Sequence, residues 1–318
     1  MPSSPPISPW PNRLAWALAC ATFPLIWVGG LVTTYGAGMA VHDWPSSFGY
    51  FLYLPLRLWL LAWDVFLEHG HRTIGLVVGM LAIALAVALG LQRRPGWIRW
   101  MGLAALLGVC LQGTLGGLRV VLNEVLLADL HGCTAPLFFA LTTALVTLTS
   151  RAWQFGPPAR PHPAAARLRR GALALTIILY VQIVLGAQLR HLPRLSGGTS
   201  ITLWVWLHVL GALAIAAGVT WLVTAVWRNA TGQPQLRRRA VLLAVLLAGQ
   251  FLLGIVTWIT KYGWPAWISN TMGSLEYTVV AGGRLQATTT TAHLGLGSLA
   301  LVTALSLTLW MYRSLSTE

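Results

Sequence analysis

Apolar residues fall into eight long runs, near 14–38, 69–91, 97–119, 129–150, 170–190, 204–227, 239–260 and 290–312, with short polar segments between them. A helix needs about 20 apolar residues to cross a hydrocarbon core of ~30 Å. The pattern therefore predicts an all-α integral membrane protein with eight transmembrane helices. Between the fourth and fifth runs lies "RAWQFGPPARPHPAAARLR", residues 151–169, a Pro-rich and basic segment that reads as a linker. It divides the chain into two four-helix halves, residues 1–150 and 170–318, expected to form two pseudo-repeated bundles.

Internal repetition supports that division. Runs 3, 5 and 7 carry "QGTLG", "QIVLG" and "QFLLG", placing Gln112, Gln182 and Gln250 four residues before a glycine. Such a repeat serves helix packing through small residues and interhelical amide bonds, or it makes room for a large flat ligand between helices. The first loop of the outer side, about 30 residues with "HDWPSSFGYFLYLPLRLWLLAWDV", is rich in the aromatic residues that favour membrane interfaces. The seventh connection, roughly 261–289, is similarly long, so both halves have a covered outer face.

Composition sharpens the class. The chain of 318 residues is 56% hydrophobic and 9% charged, against roughly 25% charged in soluble domains. A net charge of +14 raises nucleic acid as a partner, but the basic residues sort by side of the membrane. With the N-terminus inside, Arg13, Arg93, Arg94, Arg99, Arg151, Arg160, Arg167, Arg169, Arg170, Arg228, Arg237, Arg238, Arg239 and Arg313 are cytoplasmic, 14 of 21. Arg57, Arg190 and Lys261 are among the outer remainder. The bias puts both termini in the cytoplasm and implies a lipid-embedded chain with no nucleic-acid partner. Residues 1–13, "MPSSPPISPWPNR", are short and Pro-rich, unlike a transit peptide, and no convincing cleavage site follows; this implies insertion into a bacterial inner membrane. Cys20, Cys110 and Cys133 all lie in apolar runs and suggest buried thiols, with no disulfide framework.

The candidate chemistry lies in four histidines. His71, His131, His208 and His293 each open an even-numbered run. His131, His208 and His293 each precede an arginine by 20 residues (Arg151, Arg228, Arg313), and His71 precedes Arg93 by 22. Twenty residues of helix span about 30 Å, so the four imidazoles sit near the outer edge at one depth. Two pairs, one per half, suit bis-imidazole ligation of haem iron between facing helices. A tetrahedral zinc site fits less well, because neither half has a cysteine or carboxylate cluster to complete it. Glu68 lies three residues before His71, on one helix face with it, and four before Arg72. The other histidines have Ala128, Val205 and Thr290 at that offset. Glu68 either caps the helix start and pairs with Arg72, or carries chemistry peculiar to the first half.

These residues resemble the haem A synthase family across the whole chain. Members carry Glu-x-x-His-Arg at the start of span 2, matched by Glu68, His71 and Arg72. "GAGMAVHDWPSSFG" is similar to the first-loop signature, with Asp43, Trp44 and Pro45 in place, while "LQGTLGGLRVVL" and "LHGCTAPLFFAL" are similar to spans 3 and 4. The resemblance implies an oxidoreductase that hydroxylates a ring methyl of haem O twice, giving the formyl group of haem A after loss of water. It places haem O between His71 and His131 with catalytic Glu68 beside it and Arg72 near the cofactor, and haem b between His208 and His293. It also implies a haem O synthase and terminal-oxidase assembly as partners and an unidentified electron-transfer partner, and leaves homo-oligomerisation open. Many bacterial members have a cysteine pair in the first outer loop; here that loop has none. The rival readings are a di-haem b cytochrome that only transfers electrons, and a transporter with repeated halves. A prenyltransferase is disfavoured, since no loop carries paired aspartate clusters for magnesium diphosphate.

Overall fold

The computed structural model describes residues 8–51, 54–92, 95–191, 199–230, 232–272 and 278–317. Arg93 and Arg94, two of the expected cytoplasmic arginines, lie outside the described residues. Helices α1 (Trp10–Thr34), α2 (Leu56–Trp59), α3 (Trp63–Gly90), α4 (Gly96–Val121), α5 (Val125–Thr149) and α6 (Arg151–Phe155) are followed by a two-residue strand β1 (Arg160–Pro161). Helices α7 (Ala165–His191), α8 (Thr199–Asn229), α9 (Pro234–Tyr262), α10 (Ala266–Met272) and α11 (Arg284–Ser314) precede β2 (Leu315–Ser316). Among the described residues, eight of these helices are long and apolar enough to span a membrane: α1, α3, α4, α5, α7, α8, α9 and α11. The chain is a multi-pass membrane protein.

The helices run longer than the apolar stretches that announce them. Helix α3 starts at Trp63, not near residue 69, and α8 and α11 start at Thr199 and Arg284. Hydropathy detects only the part of a helix that suits hydrocarbon; the first turns of each helix lie beyond it. The four histidines are therefore one and a half to two and a half turns inside their helices. Glu68 does not cap the start of α3, because Ala62 holds the N-cap position.

Packing makes two rings of four. Helices α1, α3, α4 and α5 touch in the cyclic order α1–α3–α4–α5, and α7, α8, α9 and α11 in the order α7–α8–α9–α11. Opposite corners are α3 with α5 and α1 with α4 in one ring, and α8 with α11 and α7 with α9 in the other. Contacts of α1 and α5 with α11, and of α5 with α7, join the rings. At this seam small residues bring backbones close. Gly295 of α11 lies under the Trp27 ring of α1, and Gly30 of α1 abuts Thr291 of α11. Buried Thr142, Thr149 and Thr308 return their hydroxyls to carbonyls of their own helices, so these polar atoms are buried already satisfied. Within the second ring, Thr176 of α7 and Thr308 of α11 share a hydrogen bond at 3.0 Å.

Chain reversals follow local chemistry. Helix α1 ends in a Schellman turn: Gly36 adopts φ +68°, the Ala37 N–H donates to the Val32 carbonyl at 2.9 Å, and the Gly36 N–H donates to Thr33. Residues 122–124 join α4 to α5 with Asn123 at φ +51°, a left-handed conformation that asparagine tolerates. The linker is strapped to the last helix. Arg313 donates to the carbonyls of Trp153, Pro157 and Gly156 at 2.8–2.9 Å, and β1 pairs in parallel with β2.

Replacing Arg313 by leucine removes three charge-assisted bonds and should lower stability by about 2 kcal/mol. Limited proteolysis of membranes containing the variant should cut between residues 151 and 164 faster than in the unsubstituted protein. Equal cutting rates would show that the strap contributes nothing.

Candidate functional site

The two rings place their histidines on one diagonal each. His71 on α3 faces His131 on α5 with ring centroids 6.3 Å apart and planes at 83°. His208 on α8 faces His293 on α11, also at 6.3 Å, with planes at 65°. The other diagonal carries glycines. A Cβ built on Gly29 of α1 would lie 2.8 Å from the His71 ring, and on Gly116 of α4 it would lie 3.2 Å from His131. On Gly186 of α7 it would lie 3.1 Å from His208, and on Gly254 of α9 it would lie 3.2 Å from His293. Each imidazole thus rests against helix backbone where a side chain is missing.

The contact explains the repeat. In a helix the carbonyl of residue i bonds the N–H of residue i+4. With glycine at i+4, the carbonyl of residue i is open to a second donor. The His131 Nδ1 lies 3.1 Å from the Gln112 carbonyl, four residues before Gly116. The rings of His71, His208 and His293 lie near the backbone of Leu25, Gln182 and Gln250, four residues before their own glycines. In these three a hydrogen bond is not closed, and Nδ1 is buried without a partner. Turning Nδ1 to a carbonyl fixes the ring so that Nε2 is left for a metal.

The glycines therefore make room for imidazoles, not directly for a flat ligand, one of the two accounts that the sequence left open. The amides serve packing: Gln112 Nε2 donates to Thr134 at 2.6 Å and Gln182 Nε2 to the His208 carbonyl at 2.7 Å. Gln250 Nε2 lies 3.3 Å from His293 Nε2. The fourth member of the repeat, Gly29, went unnoticed because span 1 reads "LIWVG", with leucine in place of glutamine. What all four share is the glycine and a backbone carbonyl, which no side-chain pattern records.

The donor set fits haem. Two metal–nitrogen bonds of about 2 Å plus the distance from each nitrogen to its ring centre add up to about 6 Å between imidazole centroids, close to the 6.3 Å of both pairs. Among the described residues, no three His, Cys, Asp or Glu side chains converge as a closed metal cage would need. Asp129, two residues before His131, is turned to Gln188 Nε2 of α7 at 2.9 Å and to the Cys133 thiol.

Glu68 is almost fully buried, at 3% exposure. One carboxylate oxygen pairs with Arg72 at 2.7 Å, and the other accepts from the Val41 N–H at 2.9 Å. Arg72 also donates to the carbonyls of Val41, Asp43 and Ser46 at 2.6–2.9 Å. Its guanidinium thereby ties residues 41–47 of the first loop to α3. Asp43 caps the same loop, accepting from Ser46, Phe48 and Gly49. Burial raises the Asp43 carboxyl, but these hydrogen bonds outweigh it and hold the group below its ordinary value of 3.8. The loop's Trp44 lies flat on Gly117 of α4, the second glycine of "LGG", which spans 5 and 7 replace with Ala187 and Ile255. His69 faces this loop, 3.1 Å from Ser47 Oγ and edge-on to Trp59. Sequence reasoning missed Arg119: it sits one turn beyond Gly116, within electrostatic range of both His71 and His131.

Residues 12–196 match the sequence pattern of the COX15-CtaA family, described as cytochrome oxidase assembly protein, over more than half the chain. The chain belongs to that family. The matched segment holds Glu68, His71, Arg72 and His131. The chain is 27% identical to the heme A synthase of Sphingopyxis alaskensis, covering 88% of this chain and 93% of the relative. It is 29% identical to the heme A synthase of Symbiobacterium thermophilum, with 80% and 89% covered, and 27% identical to that of Methylobacterium radiotolerans, with 89% of each covered. This COX15-CtaA member has Ser46 and Ser47 beside Pro45, bonded to Asp43, Arg72 and His69.

Replacing Arg72 by methionine leaves Glu68 buried without its partner and frees three loop carbonyls. The expected loss is about 3 kcal/mol, toward the low end for a broken buried pair because Arg72 keeps some contact with water. Thermal unfolding in detergent should show a clearly lower midpoint, and restoring lysine should recover only part of it. An unchanged midpoint would sink the assignment of Arg72 as the loop's anchor.

Proposed function

We propose that this chain is a haem A synthase, an oxidoreductase that converts a ring methyl of haem O into the formyl group of haem A by successive hydroxylations. The observation that carries this reading is the duplicated pair of facing imidazoles, 6.3 Å apart on the diagonal of each ring and each backed by a glycine. The relatives named heme A synthase, similar over most of the chain, point the same way.

In this reading the first half, residues 1–150, takes haem O between His71 and His131. The second half, residues 170–318, holds haem b between His208 and His293 and serves electron transfer, with 151–169 joining the two. Haem iron and porphyrin supply the redox chemistry; the protein supplies orientation and electrostatics. Glu68 has both oxygens engaged, by Arg72 and by the Val41 N–H. It is a fixed negative charge one helical turn from His71, suited to steady positive charge developing at the reacting methyl carbon. The loop 41–47, tied down by Arg72 and Trp44, closes that half of the molecule and keeps bulk water from it.

The arginine asymmetry puts both termini in the cytoplasm of a bacterial inner membrane and the histidines near the outer face. A haem O synthase would supply the substrate and terminal-oxidase assembly would receive the product, with a separate electron-transfer partner.

Two experiments test the reading. Haems extracted from cells expressing Glu68→Ala and supplied with haem O should contain haem b and lack haem A. Normal haem A production would leave Glu68 structural, whereas no haem A from the unsubstituted chain either would favour a di-haem cytochrome. Gly254→Leu should displace His293 and reduce the low-spin haem b signal in electron paramagnetic resonance several-fold, while Gly116→Leu should leave that signal in place. Equal effects from both substitutions would mean that the two halves do not hold separate haems.

A further inference from the structure

Two cations cross the mouths of the histidine pockets. In the first ring Arg119, at the end of α4, reaches the opposite corner and donates to the Gly38 carbonyl beyond α1 at 2.8 Å. Its guanidinium lies against the Gly38 α-carbon, where no Cβ would fit. In the second ring Lys261, near the end of α9, reaches the opposite corner and donates to the Leu189 carbonyl of α7 at 3.1 Å. Both pairs of helices are diagonal partners, so each side chain passes over the space between the histidines and not along a packed seam.

The positions match along the helices as well. Arg119 is three residues beyond Gly116, the glycine under His131, on the same side of its helix. Lys261 is seven residues, two turns, beyond Gly254, the glycine under His293, and again on that side. The acceptor Leu189 is three residues beyond Gly186, the glycine under His208. Arg119 therefore stands about one turn, and Lys261 one to two turns, on the loop side of an imidazole pair. Arg190, next along α7, turns instead to Gly30 and Thr34 of α1 and adds positive charge near Lys261.

A charge at this depth is costly unless something answers it. Lys261 has no carboxylate partner among the described residues; the ion pair recorded there is Arg72 with Glu68, in the other ring. Arg72 is turned to the first loop and to Glu68, and Arg119 lies within electrostatic range of both imidazoles of the first pair.

We propose that Arg119 and Lys261 are the residues that receive the propionate carboxylates of the porphyrins in the first and second pockets. The assignment rests on the haem reading above and adds orientation to it. Each porphyrin stands with its carboxylates toward the loop face, held by charge-assisted bonds across the mouth of its own ring. The opposite edge points into the bundle. In the first ring this fixes the rotation of haem O about its axial ligands, and so decides which edge of the ring is presented to Glu68.

The test uses the full-length chain made in haem-deficient cells, purified in detergent and titrated with haem b or with haem b dimethyl ester, followed by Soret absorbance. The free acid should bind at least about tenfold more tightly than the ester. Lys261→Met and Arg119→Met should each abolish that preference at one of the two equivalents, and Lys261→Arg should retain it. Equal affinity of the unsubstituted chain for acid and ester overturns the proposal, as does a preference unchanged in both methionine variants. Absence of a Soret band with either probe would overturn the haem reading itself, a different result from binding without preference.

Discussion

An imidazole can lie against a helix and address its carbonyls only where the helix lacks a side chain at the point of contact. This close approach is made four times, by His71 on Gly29, His131 on Gly116, His208 on Gly186 and His293 on Gly254. Much else follows from it. The glycine-bearing helices must occupy one diagonal of each ring and the histidine-bearing helices the other. The separation of paired imidazoles is then set by helix packing and not by flexible side chains, which is why both pairs settle at 6.3 Å. In lipid no hydrophobic force draws helices together, so small-residue contacts of this kind also hold the rings.

The two rings share this scaffold and differ in what covers it. Over the first lies a loop bound from three directions: Arg72 takes its carbonyls, Asp43 gathers its turn, and Trp44 rests on Gly117. Glu68 belongs to that assembly as much as to the histidine pair. Its carboxylate joins α3 to the loop through the Val41 N–H, so loop closure and the placement of the negative charge are one event. The second ring has no carboxylate at the position of Glu68, where Val205 and Thr290 stand, and its mouth is crossed by Lys261. The two scaffolds are thus equivalent and their covers differ.

Membrane class, the eight spans, the four histidines and the oddness of Glu68 were all legible in the chain, because each depends on local composition or on spacing along one helix. Lipid imposes this legibility: a spanning segment must satisfy its own backbone, so apolar length translates directly into helix. The extra turns at Trp63, Thr199 and Arg284 were not visible, since beyond the hydrocarbon a helix has no hydropathy signature. The Gln-x-x-Leu-Gly repeat was seen, but the reason for it was not. A repeat found through glutamine overlooks Gly29, whereas the contact depends on glycine and a carbonyl.

By itself the sequence singled out the candidate residues and their common spacing along the helices, because helical rise converts residue spacing into distance along the axis. Only the tertiary structure decided what those residues meet. That His71 faces His131, that Arg72 turns to the loop, and that Arg119 and Lys261 cross the mouths of their rings depend on which helices share a diagonal. Diagonal pairing is a matter of packing between segments tens of residues apart, and no periodicity along a single helix encodes it.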